Sequence, residues 1–212
     1  MKITKEVLAD REACSDGITD FASLFPVGLD VTDWDLARQM GMVLHPVMRQ
    51  YWGWAVGMRL IPSLSMSGLD LCGADLSCAG LRDADFRLAE LRRADLRDVD
   101  LCGADLRDAD LRDADICYST LHRANLCGAH LRGANLRRSI LTGADLMDAD
   151  SRDADLCGAN LRRADLRDAD LRRADLRFAA LRGVDLRGAD LRDAKFDDEQ
   201  LRYLERGVAN GR

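Results

Sequence analysis

From Leu69 to Phe196 the apolar positions of this chain recur every five residues. Leu71, Leu76, Leu81, Phe86, Leu91 and Leu96 open a series that ends at Leu191 and Phe196. It has 26 positions, of which 22 are Leu. Two residues before each stands a small residue, Ala in 21 of the 26 cases, and between the two is usually an acid. On an α-helix, positions five apart scatter around the surface, and on a flat strand they alternate between faces. Neither element buries this Leu set. The period therefore predicts a chain that turns once per repeat, with a short extended piece pointing Ala and Leu inward and the acid outward. The last two residues of each five form the turn. Between Gly68 and Gly188, nine of ten glycines occupy the second turn position, which predicts a positive φ there.

Runs such as Ala94-Asp95-Leu96-Arg97-Asp98 and Ala104-Asp105-Leu106-Arg107-Asp108 resemble the A-(D/N)-L-x-x pattern of pentapeptide-repeat proteins. The resemblance implies an all-β solenoid, a right-handed quadrilateral β-helix with four repeats per coil. Over residues 67–196 that makes about 6.5 coils, roughly 30 Å long at ~4.8 Å per coil.

A β-helix leaves an open core and a strand edge at each end. Residues 1–66 read as a small α-helical N-terminal cap. One short amphipathic helix carries Ile18, Phe21, Ala22 and Phe25. A second follows Thr32 and Asp35, burying Leu36, Met40 and Leu44, and a third starts near Pro46 with Val47, Tyr51 and Trp52. A separate recognition module or a membrane-touching surface are alternative roles for the segment. Residues 197–212 read as a C-terminal capping helix and tail, opened by Asp197, Asp198 and Glu199. Leu201, Tyr203, Leu204 and Val208 would cover the last coil, and the family resemblance makes them a candidate homodimer contact.

The formal net charge is −6, with −2 in residues 1–66 and −4 in the rest, which argues against direct nucleic-acid binding by bulk charge. The opening residues carry no apolar signal-type stretch and no segment reads as a membrane span, so the expected location is cytoplasmic. Five of the seven cysteines (72, 102, 117, 127 and 157) fall at the first turn position, outside the expected core and without C-x-x-C spacing. They read as free thiols, and no metal or cofactor site is expected.

Stacking every fourth repeat assigns outward residues to four sides. The first stacks Arg92, Arg112, Arg132, Arg152, Arg172 and Arg192 beside Glu90, Asp110, His130, Asp150, Asp170 and Asp190. This reads as a solvated salt-bridge lattice, with an anion-binding Arg ladder as the sharper alternative. The third side departs from the pattern: Thr120, His122, Ile140 and Thr142 form a nearly uncharged patch at mid-rod. Tyr118 and Phe178 add outward aromatics on the second side. These six residues are the candidate partner surface. Ser151 holds an inward position, explained by a satisfied hydroxyl or a small cavity.

Three histidines, His45, His122 and His130, share no site, and no nucleophile or phosphate-loop motif occurs. The expected function is a non-catalytic protein–protein interaction scaffold for an unidentified protein partner. The resemblance also implies an alternative, an acidic duplex mimic that binds DNA gyrase or a related topoisomerase. Acids occupy 17 of 26 central outward positions, but arginines offset most of them.

Overall fold

The computed structural model describes residues 2–3, 29–30 and 65–202. In the N-terminal segment, β1 (Lys2–Ile3) pairs antiparallel with β2 (Leu29–Asp30), Lys2 opposite Asp30. The helices expected between residues 15 and 55 lie outside the described residues.

From residue 65 onward the chain is a solenoid of parallel bridges between residues twenty apart, from Ser65 with Asp85 to Asp175 with Lys195. A 20-residue coil built from five-residue repeats has four sides. The bridges are made at the central residue of each repeat, which defines the sides. The first runs through Asp70 to Asp190, the second through Asp75 to Lys195, the third through Gly80 to Ala180 and the fourth through Asp85 to Asp185.

One repeat shows why the pattern closes. The Ala94 amide donates to Leu91 O at 3.1 Å, closing the turn. Asp95 N donates to Ala74 O in the preceding coil, and Leu96 N and Asp98 N donate to Asp115 O and Cys117 O in the following one, at 2.7–3.1 Å. The remaining amide, Arg97 N, donates to the Asp95 carboxylate at 3.2 Å. All five amides are thereby satisfied. The same side-chain lock recurs at every central Asp or Asn from Asp70 to Asp190, always to the residue two further on. The acid in Ala-Asp-Leu thus has a folding role as well as a solvating one, and Glu90, one methylene longer, does not make the bond.

The second turn position has positive φ in every repeat from Gly68 to Asp193, between 54° and 76°. The turn is the one the glycines indicate, but its occupancy is broader than glycine. Seventeen non-glycine residues adopt it, among them Leu88, Tyr118 and Phe178. Short polar residues such as Asp tolerate this region, whereas bulky ones bear a cost of ~1 kcal/mol or more that coil stacking must offset.

Inside, the Leu and Ala layers are almost fully buried, from Leu71 to Leu181. At two cysteines the first turn position is less exposed than the sequence suggests. Cys102 and Cys117 are only 8% and 9% accessible, because a short side chain lies flush with the side of the rod and is covered by longer neighbours. Burial raises both thiols, Cys117 to about 11. The six described cysteines are free.

The C-terminal end of the rod is closed at one corner. Helix α1 begins at residues 198–202. The Asp197 carboxylate accepts from Glu199 N and Gln200 N, while the Gln200 side-chain oxygen accepts from Asp197 N at 2.9 Å, a reciprocal capping box. Asp197 also accepts from Phe178 N, and Gln200 Nε2 donates to Leu176 O and Ala179 O. These side chains replace the backbone that a further coil would supply. Val184, Leu186, Leu191 and Phe196 on the last coil remain half-buried. Leu201 is exposed, and Tyr203, Leu204 and Val208 lie outside the described residues.

Candidate partner surface

The first, second and fourth sides carry ion-paired carboxylates. On the first side, Arg152 pairs with Asp150 at 2.6 Å and reaches Asp170 in the next coil at 3.5 Å. Arg172 repeats the arrangement with Asp170 and Asp190. On the fourth side Arg167 spans Asp165 and Asp185, and on the second Arg97 spans Asp95 and Asp115. Each such arginine separates two stacked like charges that would otherwise repel. The guanidinium of Arg112 holds Asp110 below the usual carboxylate range, and Arg192 holds Asp190 near about 2. His130 interrupts the first side's acid column, and Arg132 turns instead toward Asp153 at 3.6 Å. The clefts along this corner, between Arg92, Arg112, Arg152 and Arg172, are shallow and open to solvent.

The third side is built differently. Thr120 bridges Ile140, and Ile140 bridges Asn160. Thr120, His122 and Thr142 are half-buried and Ile140 is 41% exposed, so the four stand together on adjacent coils. Tyr118 and Phe178, 54% and 72% exposed, occupy the corner between the second and third sides, and both have positive φ. Arg138 stacks between the coils of these two aromatics. Its guanidinium lies 5.9 Å from the Tyr118 ring centre, and its Nη1 donates to the Tyr118 hydroxyl at 3.5 Å. Five of the six sequence-predicted residues therefore gather around one stretch of the rod, with Phe178 further along the same corner.

Several contributors escape a reading of central positions alone. Without an Asp at 120, 140 or 180, the backbone amides of His122, Thr142 and Arg182 have no acceptor among the described residues. Behind the patch, Ser119 and Ser139 replace the usual Ala and are fully buried. The Ser119 hydroxyl inserts into the turn below, donating to Leu96 O at 2.5 Å and accepting from Val99 N at 3.2 Å. Both serines were visible as departures from Ala on the same side as the missing acids. Leu88, 63% exposed at positive φ on the corner after the fourth side, is a further outward apolar residue.

Summing charge along the third side gives a second signal. Residues 118–123, 138–143, 158–163 and 178–183 are this side and its corners in four successive coils. They contain no Asp or Glu, and they contain Arg123, Arg138, Arg162, Arg163, Arg182 and His122. None of these five arginines has a carboxylate within 4.0 Å among the described residues, whereas most other array arginines do. The patch is uncharged at its centre and basic around its edge.

Two other groups have simpler readings. Asp70, Cys72 and Glu90 bring potential ligand atoms within 4.8 Å of one another, all exposed, and Arg92 already pairs with Glu90. The Ser151 hydroxyl is buried with no hydrogen-bond partner, so the satisfied-hydroxyl explanation fails at this position. No helix among the described residues is long and apolar enough to cross a membrane.

A family model of pentapeptide repeats matches in eight copies, over residues 64–93, 94–133, 119–150, 152–188 and 170–198. Among solved structures, the chain is similar to a pentapeptide repeat protein from the Arabidopsis thaliana thylakoid lumen. Identity is 38% over 51% of this chain and 76% of that one, with a TM-score of 0.50. It is 31% identical to HetL, a pentapeptide repeat protein involved in heterocyst differentiation regulation from the cyanobacterium Nostoc. That match covers 63% of this chain and 77% of HetL, TM-score 0.24. It is 22% identical to QnrB1, a plasmid-mediated fluoroquinolone resistance protein, over 69% of this chain and 89% of QnrB1, TM-score 0.32. A comparison with curated proteins found no match.

Proposed function

The chain belongs to the pentapeptide-repeat family, and on that premise we propose that it is a non-catalytic scaffold whose third side docks a protein partner. The observation that carries this reading is the exposure of Tyr118, Ile140 and Phe178 along one edge, two of them at a backbone position that disfavours bulky residues. Exposed aromatic and branched side chains held at a folding cost, with arginines around them, have the composition of an interface. In this reading the rod is a right-handed coil of about 6.5 turns, residues 1–66 form its helical cover, and the protein works in the cytoplasm. The exposure of Leu201 supports a contact between two copies through α1, which light scattering of the chain and of its Leu201→Glu variant tests.

Affinity capture from the native host tests the docking side. Ile140→Asp restores the repeat consensus and with it the acceptor for Thr142 N, so the rod keeps its fold. Capture should be lost with Ile140→Asp and retained with His130→Asp on the first side. Equal capture by both variants contradicts the assignment.

The competing proposal is a duplex mimic acting on a topoisomerase. It needs acids free to stand in for phosphates, and here the pairing of Asp95, Asp105, Asp110, Asp150, Asp170 and Asp190 with arginines at 2.5–2.6 Å works against it. A gyrase supercoiling assay that shows inhibition or quinolone protection would favour the mimic over the scaffold.

A further inference from the structure

We infer that the third side recognises an acidic, extended segment of its protein partner. This rests on the scaffold reading and adds the chemistry of what is bound. The first observation is the acid-free strip over four coils, where Arg123, Arg138, Arg162, Arg163 and Arg182 lack carboxylate partners among the described residues while the protein as a whole carries −6. Elsewhere on the rod the guanidinium groups, Arg93 apart, are engaged by carboxylates of their own chain. These five present unneutralised, fork-shaped donors suited to carboxylates from outside.

The second observation is independent of side-chain charge. At Thr120, Ile140 and Ala180 the rod lacks the side-chain oxygen that accepts from the first turn amide at every central Asp or Asn, as it also does at Gly80, Glu90 and His130. The amides of His122, Thr142 and Arg182 are therefore open donors along the strip, with Arg162 N between the last two already donating to Asn160 Oδ1. A carboxylate or carbonyl from the partner would occupy the place that Asp95 Oδ1 takes at Arg97 N. From His122 to Arg182 is three coil steps, roughly 14 Å at ~4.8 Å each, and an extended chain rising ~3.3 Å per residue covers that with about five residues.

Two features select a peptide over a nucleic acid. Ile140, Tyr118 and Phe178 supply apolar contact within the strip. The strip is also short, three coil steps, so a duplex running past its ends would place few phosphates against its arginines.

The test uses the full chain and a fluorescent probe peptide of alternating Glu and Leu, read by anisotropy at low and high salt. A poly-lysine peptide and a short DNA duplex serve as comparison probes. The expected result is binding of the acidic peptide that weakens with salt and falls about tenfold in Arg138→Gln/Arg162→Gln/Arg163→Gln. Arg107→Gln/Arg187→Gln, on the fourth side, should leave it unchanged. Absence of acidic-peptide binding, or equal loss in both variants, overturns the inference. So does tighter binding of duplex DNA that depends on the same three arginines. Failure here with host capture still lost in Ile140→Asp would leave the docking side standing and remove only the acidic partner. Failure here with host capture unchanged by Ile140→Asp would remove the scaffold reading as well.

Discussion

Arg138 lies over Tyr118 from the next coil, its guanidinium 5.9 Å from the ring centre and its Nη1 3.5 Å from the phenol oxygen. Both residues occupy the positive-φ position of their turns, at 54° and 60°. In an array that fills this position mostly with Asp or Gly, the pair marks the edge of the stretch where the third side loses its acids. Cation and ring support each other at the surface, and Tyr118 stays largely exposed.

Replacing Phe178 by Gly should stabilise the rod. The side chain is 72% exposed and its φ is 62°. Relief of left-handed strain outweighs the added unfolded-state freedom of Gly by up to about 1 kcal/mol. Thermal unfolding should show a higher midpoint for Phe178→Gly. A lower midpoint would mean that the ring contributes packing not evident from its exposure.

The carboxylate lock makes a graded prediction at Asp175, which accepts from Arg177 N and pairs with its guanidinium at 2.6 Å. Asp175→Ala removes both interactions and should cost about 1 kcal/mol. Asp175→Asn keeps the backbone acceptor, as Asn125, Asn135 and Asn160 do, and should cost less. Denaturant titration of the two variants should rank them in that order, and equal losses would argue that the lock contributes nothing.

Ser151 offers the largest gain. Its backbone bonds match those of the Leu repeats, with Ser151 N to Asp170 O at 2.8 Å and Ala154 N to Ser151 O at 3.2 Å. Only the side chain is out of pattern, and its hydroxyl is buried without a partner. Ser151→Leu should stabilise by roughly 2–4 kcal/mol, seen as a higher urea midpoint at unchanged slope. A loss of stability would show that the space above Leu131 and below Leu171 has already been filled by its neighbours.

Acid should weaken the array. The guanidinium hydrogen bonds hold Asp110, Asp150 and Asp170 below the usual carboxylate range, and Asp190 near about 2. Since the folded-state values lie below the unfolded value of ~3.9, the pairing stabilises fully above about pH 5. It is lost as pH falls through the folded values. Denaturant midpoints should therefore decline between about pH 5 and about pH 2, and a flat or rising midpoint over that window would contradict the assignment.

The interior was legible because its cause is periodic: Leu at every fifth residue can be buried only by a chain that turns once per repeat. The positive φ of the turn was legible from glycine. Its extension to Tyr118, Phe178 and Arg138 was not, because the backbone there follows the stacking of coils rather than local preference. Thr120 and Ile140 stood out as missing acids. The consequence of that loss, open amides at His122 and Thr142, needed the structure to show where Asp carboxylates point elsewhere. The basic character of the third side was present in the residues but appears only when four coils are summed along one side. Ser119 is visible as a departure from Ala, but the partners of its hydroxyl, Leu96 O and Val99 N in the preceding coil, are not legible from the residues around it.

Hydrogen exchange of the chain, alone and with its captured partner, tests the proposed docking side most directly. In the free chain the amides of His122, Thr142 and Arg182 should exchange rapidly, while those of Leu121, Leu141 and other bridge-flanking residues are protected. In the complex, the added protection should fall on these three amides and their neighbours along the third side. Added protection on the first or fourth side, with these amides still open, would contradict the third side as the place where this protein meets its partner.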